Sequence, residues 1–176
     1  MKKTQFGYTL IELMVVVSII GVLAAVVIAS LNDARGSAKV AAAQVELKSI
    51  AEGSLRLQLD TSRAPGGFPS SVCSGSTQRS DGNGIDVNDI NAGLVQPNVA
   101  KYPAWNGPYI QAVNDPWGRP YVLDSHYRCT AGETAVQSGQ CDAGQWYRVI
   151  YSRGENGSPY QSYDADNVAY VICKRD

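Results

Sequence analysis

The chain has a single histidine, His126, among its 176 residues. A multi-histidine metal centre is therefore excluded, and so is any histidine-based triad beyond coincidence. His126 itself reads as a surface or strand residue. No Walker loop is present, and the four cysteines read as paired and not nucleophilic. Catalysis has no support here. Charge of one sign is also lacking: the net charge is −1, so no basic balance points to nucleic acid or anionic lipid. No cysteine precedes Cys73. No charge at all falls in the 19 residues from Leu13 to Leu31, and no proline falls between Asn32 and Asp60.

The uncharged run would rise about 28 Å as a helix, close to the hydrocarbon thickness of a bilayer. Glu12 stands at its mouth. A charged side chain deep in a bilayer costs on the order of 2.5–3.5 kcal/mol, so a carboxylate there marks function and calls for a partner. If the chain were cut after Gly7, the amine of Tyr8 would lie four residues from Glu12. Glu12 of one copy could then neutralise the amine of the next. An ordinary secretory signal fits less well, because the run is too long and no small-residue cleavage site ends it. A plain anchor explains the length but neither Gly7 nor Glu12.

Lys2 and Lys3, then Gly7-Tyr8-Thr9-Leu10-Ile11-Glu12, then the apolar run with Gly21, resemble the class III signal of type IV pilins and pseudopilins. That resemblance implies removal of the leader 1–7 by a prepilin peptidase, methylation of the new amine on Tyr8, and a mature chain Tyr8–Asp176. It implies residues 8–31 as a transmembrane and filament-core helix. The two lysines would stay cytoplasmic by the positive-inside rule, with everything past Leu31 outside. The cysteines agree, since all lie where disulfides persist. Four cysteines allow three connectivities. We favour Cys129–Cys141, closing a short polar loop, and Cys73–Cys173, tying the tail to the body.

Residues 32–60 are rich in good helix formers. Val40, Ala43, Leu47, Ile50 and Leu57 fall at helical spacing with Ala51 and Leu55 beside them, while Asp33, Arg35, Lys39, Glu46, Lys48, Glu52 and Arg56 supply polar positions. One helix from Tyr8 to Asp60 is expected, apolar all round in its first half and amphipathic in its second. Thr61–Gly67, with Pro65-Gly66-Gly67, ends it. Residues 61–176 form a β-rich head. Ser74–Asn91 reads as loop. Asp81-Gly82-Asn83-Gly84-Ile85-Asp86 reads as turns, because Ile85 stands where an EF-hand needs an oxygen. Strands are expected at Pro120–Leu123, Trp146–Tyr151 and Ala169–Cys173. The fold class is α+β, a long helix packed on a small antiparallel sheet. Trp105, Trp117 and Trp146 read as packing residues. Asn156-Gly157-Ser158 matches a glycosylation acceptor, but Asn-Gly reads better as a tight turn.

Gly107-Pro108-Tyr109-Ile110, Asn114-Asp115-Pro116-Trp117-Gly118-Arg119-Pro120-Tyr121, Tyr151–Gly157 and Asp164–Val168 resemble the head of the major pseudopilins of type II secretion systems. The resemblance implies a Ca²⁺ held by the side chains of Asn156, Asp164 and Asp166 and the carbonyls of Arg153 and Ser158. Oxygen-only ligands from a flexible loop suit that ion. The chain departs from the pattern in Asn156, where Asp is usual, in a longer Ser158–Tyr163 stretch, and in the added cysteines. A pair of hydrogen-bonded turns closed by a disulfide stays open beside the calcium loop. Ala29 stands where many relatives carry a proline at which the helix partly unwinds.

The expected function is a structural subunit, not an enzyme. It would polymerise through its N-terminal helix into a type IV pilus-like filament for adhesion, motility or DNA uptake. The alternative is a major pseudopilin whose periplasmic pseudopilus drives protein export. A membrane-anchored binding module that never polymerises is a third reading. Expected partners are other copies of itself, the prepilin peptidase, an inner-membrane assembly platform and, indirectly, its ATPase.

Overall fold

The structure is a computed structural model that describes residues 8–69, 84–129, 134–135, 142–157 and 166–174. Gly7, Cys73, Cys141, Ser158 and Asp164 lie outside the described residues. The chain divides into two units, Met1–Ala38 and Lys39–Asp176.

Helix α1 runs Leu10–Thr61, 52 residues, against the expected Tyr8–Asp60. In the first unit its described side chains from Leu10 to Arg35 are all exposed. By length and composition it is apolar enough to cross a membrane. The serines on this stretch bond within the helix: Ser18 Oγ donates to the Met14 carbonyl at 2.6 Å and Ser30 Oγ to that of Val27 at 3.2 Å. Their hydroxyls therefore need no water, which suits an apolar medium.

In the second unit the helix carries one buried face: Ala43, Leu47, Ile50, Ala51, Gly53, Ser54 and Leu57. Each fully buried aliphatic side chain contributes about 1.5–3 kcal/mol. Leu55, expected beside this stripe, instead points outward and is 57% exposed. At 100° per residue it falls outside the arc shared by Ser54 and Leu57. Gly53 sits in that arc because the backbone of residues 109–110 approaches the helix there. A Cβ would overlap Ile110 Cγ2 and lie 3.0 Å from the Tyr109 carbonyl oxygen. At the C-terminus Thr61 Oγ1 donates to the Leu57 carbonyl (2.7 Å), and Ser62 turns to φ 56°. The chain then forms a short hairpin of two-residue strands, β1 (Arg63–Ala64) with β2 (Phe68–Pro69).

The main sheet has five strands in the order β3-β4-β6-β7-β5. They are β3 (Ile85–Asp86), β4 (Val122–Arg128), β5 (Thr134–Ala135), β6 (Trp146–Ser152) and β7 (Val168–Lys174). The central pairs β4–β6 and β6–β7 are antiparallel, whereas the short β5 runs parallel to β7. β6 and β7 match the expected strands to within one residue at each end, whereas β4 shares only Val122 and Leu123 with the expected Pro120–Leu123 and runs on to Arg128. Ile85–Asp86, expected as turns, pairs with Leu123 and Val122, and Ile85 is buried. Pairing across some forty residues of chain outweighs the local turn composition.

Both faces of the sheet are covered. Leu123, Ile150 and Val168 join the core shared with α1, along with Val87, Leu94, Tyr102 and Tyr121. Val122, Tyr127, Cys129, Tyr147, Val149, Tyr151, Ala169 and Val171 form a second cluster. This is why β6 reads Trp-Tyr-Arg-Val-Ile-Tyr-Ser without apolar/polar alternation: Tyr147 through Ser152 are all buried. The segment between β3 and β4 packs through side chain to backbone bonds. Asn88 exchanges two with Val113, at 2.9 and 3.0 Å. Tyr102 Oη faces the carbonyls of Asn91 and Ala92, at 3.1 and 3.0 Å. Burial pushes the Tyr102 hydroxyl up to about 12.

Candidate functional site

Two places carry the expected chemistry. The first is the start of α1. Thr9 Oγ1 and Thr9 N both donate to Glu12 Oε2, at 2.7 and 2.8 Å, and Glu12 N donates back to Thr9 Oγ1 at 3.3 Å. This is a capping box, Thr-x-x-Glu, in which residues at the N-cap and third helical position satisfy each other's orphan donors. The letters Thr9-Leu10-Ile11-Glu12 carry this signature, but they were read only as part of the signal. In the isolated chain, then, Glu12 is committed to the local backbone, and Tyr8 beside it is 92% exposed.

The second place is the end of β6. A turn at 115–119 is built on Asp115, which is 4% exposed. Its Oδ1 accepts from the backbone N–H groups of Trp117 (3.1 Å) and Arg119 (2.8 Å). Its Oδ2 accepts from Ser152 Oγ at 2.6 Å, and Ser152 Oγ accepts in turn from Gly154 N at 3.1 Å. The guanidinium of Arg119 completes the arrangement, donating through Nη1 to the Gly154 carbonyl (2.6 Å) and through Nη2 to that of Glu155 (3.0 Å). Gly154 has φ +62°, and a Cβ there would overlap the backbone carbonyl of Asp166. Gly157, at φ +65°, closes the turn, with its N–H bonded to the Arg153 carbonyl at 3.1 Å. Asp115, Arg119 and Ser152 were missed as site residues. The signal was the Asp-Pro-Trp-Gly-Arg turn itself, a buried acid with turn formers after it.

Of the expected calcium ligands, Arg153, Asn156 and Asp166 are described. The Asn156 N–H donates to Asp166 Oδ2 at 2.9 Å, which brings the two residues together. Asn156 is exposed, and Arg153 and Asp166 are half-buried. Asn156 and Asp166 carry side-chain oxygens of the kind Ca²⁺ takes, while the Arg153 carbonyl accepts from the Gly157 N–H. Among the described residues no group of three or more His, Cys, Asp or Glu is arranged to hold a metal. Cys129 and Cys173 are both disulfide-bonded. Their expected partners, Cys141 and Cys73, lie outside the described residues.

Residues 2–28 match the prokaryotic N-terminal methylation motif. The type II secretion system core protein G of Klebsiella pneumoniae is 32% identical over 167 residues, covering 94% of this chain and 95% of that protein. The protein of the same name from Pseudomonas aeruginosa is 33% identical over 157 residues, covering 82% and 97%. That of Aeromonas hydrophila is 30% identical over 123 residues, covering 69% and 74%. No solved structure matches the chain significantly. With the methylation motif over its apolar helix and relatives aligned through nearly its whole length, the chain belongs to the pilin and pseudopilin family represented by type II secretion system core protein G.

Proposed function

We propose that the chain is the repeating subunit of a pseudopilus in a type II secretion system. It would be held in the inner membrane by the first half of α1 and drawn from there into a periplasmic filament. One observation carries this reading: the described side chains of the uncharged Leu13–Leu31 segment are exposed in the isolated chain. Such a surface needs lipid before assembly and other copies of the same helix afterwards. The expectation of a pilin holds at the level of the family, and the relatives' names support its alternative, the pseudopilin. Cleavage after Gly7 would free the amine of Tyr8, and Glu12 would register each entering subunit on that amine. Prepilin peptidase, assembly platform and ATPase are the partners this route requires.

The head loop would take a structural Ca²⁺ through Asn156, Asp164, Asp166 and the carbonyls of Arg153 and Ser158. The ion would supply positive charge that draws these oxygens together.

Intact mass of the chain from washed membranes and from sheared surface filaments tests the reading. A disulfide-bonded species starting at Tyr8 and confined to the membrane fraction is expected. The same species in sheared filaments would establish a surface pilus instead, and an uncut chain starting at Met1 would overturn both. Glu12→Ala is expected to abolish filament formation with the head still folded; normal filament yield would refute the registering role.

A further inference from the structure

We propose that Arg119 positions the turn 153–157, holding it through two backbone carbonyls whether or not a metal occupies the loop. The guanidinium presents a planar fork of donors, and the Gly154 and Glu155 carbonyl oxygens lie 2.6 and 3.0 Å from its two terminal nitrogens. Hydrogen bonds from a charged donor are about twice as strong as neutral ones. The fork is itself fixed, because the Arg119 backbone N–H is held by Asp115 Oδ1 at 2.8 Å and its carbonyl accepts from Asp115 N at 2.7 Å. Gly157 completes the seat: a Cβ there would overlap Arg119 Cζ and Nε, so the turn closes directly onto the guanidinium. A cation borne by the protein thus already gathers carbonyl oxygens at the start of the loop. Calcium would be left to organise the remainder, toward Asp166. A lysine keeps the charge but has no planar fork, so it cannot hold both carbonyls in one geometry.

The metal arm of the test rests on the calcium reading above; the Arg119 arm does not. Amide hydrogen exchange would be measured on the full-length, detergent-solubilised chain, as wild type and as Arg119→Lys, each in EGTA and in Ca²⁺. In EGTA the wild-type amides of Asn156 and Gly157 are expected to be protected. In R119K they should exchange about ten-fold faster or more, while the β6 amides stay unchanged. Wild-type amides that exchange freely in EGTA, or R119K amides that match wild type, would overturn the proposal. Should R119K open β6 as well, Arg119→Gln carries the same two outcomes, because its single amide group cannot hold both carbonyls and it leaves Gly157 and Asp115 untouched. If Ca²⁺ alters exchange in none of the proteins, the calcium reading fails, and the EGTA arm still decides the role of Arg119.

Discussion

Tyr121, at the entry to β4, donates its hydroxyl hydrogen to Oε2 of Glu46 on α1. Glu46 lies on the polar side of the helical pattern, yet it reaches a fully buried tyrosine. Burial, the Glu46 hydrogen bond and the Glu46 and Asp115 charges all hold the Tyr121 hydroxyl well above the ordinary tyrosine range. The folded state therefore resists losing this proton, while the unfolded chain loses it near pH 10. The contribution is fully present below pH 10 and is lost as pH rises above it. Denaturant melts between pH 8 and pH 11.5 should show stability falling with pH, and Tyr121→Phe should flatten that fall. At pH 7 the same variant should lose about 1.5–3 kcal/mol, since the bond is to a charged acceptor. An unchanged alkaline slope in Tyr121→Phe would sink this account.

Leu55 and Leu57 separate pattern from packing. Leu57 is fully buried and Leu55 is 57% exposed. Leu57→Ala is expected to cost about 2–5 kcal/mol by transfer and cavity formation. Leu55→Ala should stay within about 0.5 kcal/mol, as surface changes do. Urea midpoints of the two variants check this, and equal losses would contradict the assigned helix face.

Gly118 and Gly154 both have positive φ, at +85° and +62°, but differ in surroundings. A Cβ at Gly118 meets nothing within 4 Å, while one at Gly154 overlaps the Asp166 carbonyl. Gly118→Ala is therefore expected to cost only the left-handed penalty, about 1–2 kcal/mol. Gly154→Ala should cost clearly more, and thermal melts that rank them the other way would refute the close approach.

Cys129 and Cys173 anchor disulfides at the ends of β4 and β7. Reduction should lower stability by about 2–5 kcal/mol, the usual cost of losing a native bridge from a small domain. Peptide mapping under non-reducing conditions would identify the pairs, and Cys129–Cys141 with Cys73–Cys173 is the expected result. Any other pattern would correct that assignment.

What was legible in the sequence followed from repetition along the chain. An uncharged run, a proline-free amphipathic stretch and a Pro-Gly-Gly stop define α1 to within about two residues at each end. Tyrosine- and valine-rich segments located the three long strands. Contacts made across the fold were not legible. Ile85–Asp86 becomes a strand only because Val122 and Leu123 lie beside it. Glu46 is drawn inward only because Tyr121 arrives from a position 75 residues away. At the candidate site, Glu12 was found because a lone acid beside an apolar run stands out. Its capping partner Thr9 was visible in the same letters but was read only as part of the signal. Asp115 and Arg119 were noticed as a family signature, whereas their work on the 153–157 turn depends on β6 ending next to them.

The two ends of the excursion between β6 and β7 are fastened to each other, through the close approach of Gly154 to the Asp166 carbonyl and the bond from Asn156 N to Asp166 Oδ2. Closing that loop is therefore settled at its base. Residues inserted between 157 and 166 add only the weak, logarithmic dependence of loop entropy on length. The strands on either side need not shift to accommodate them.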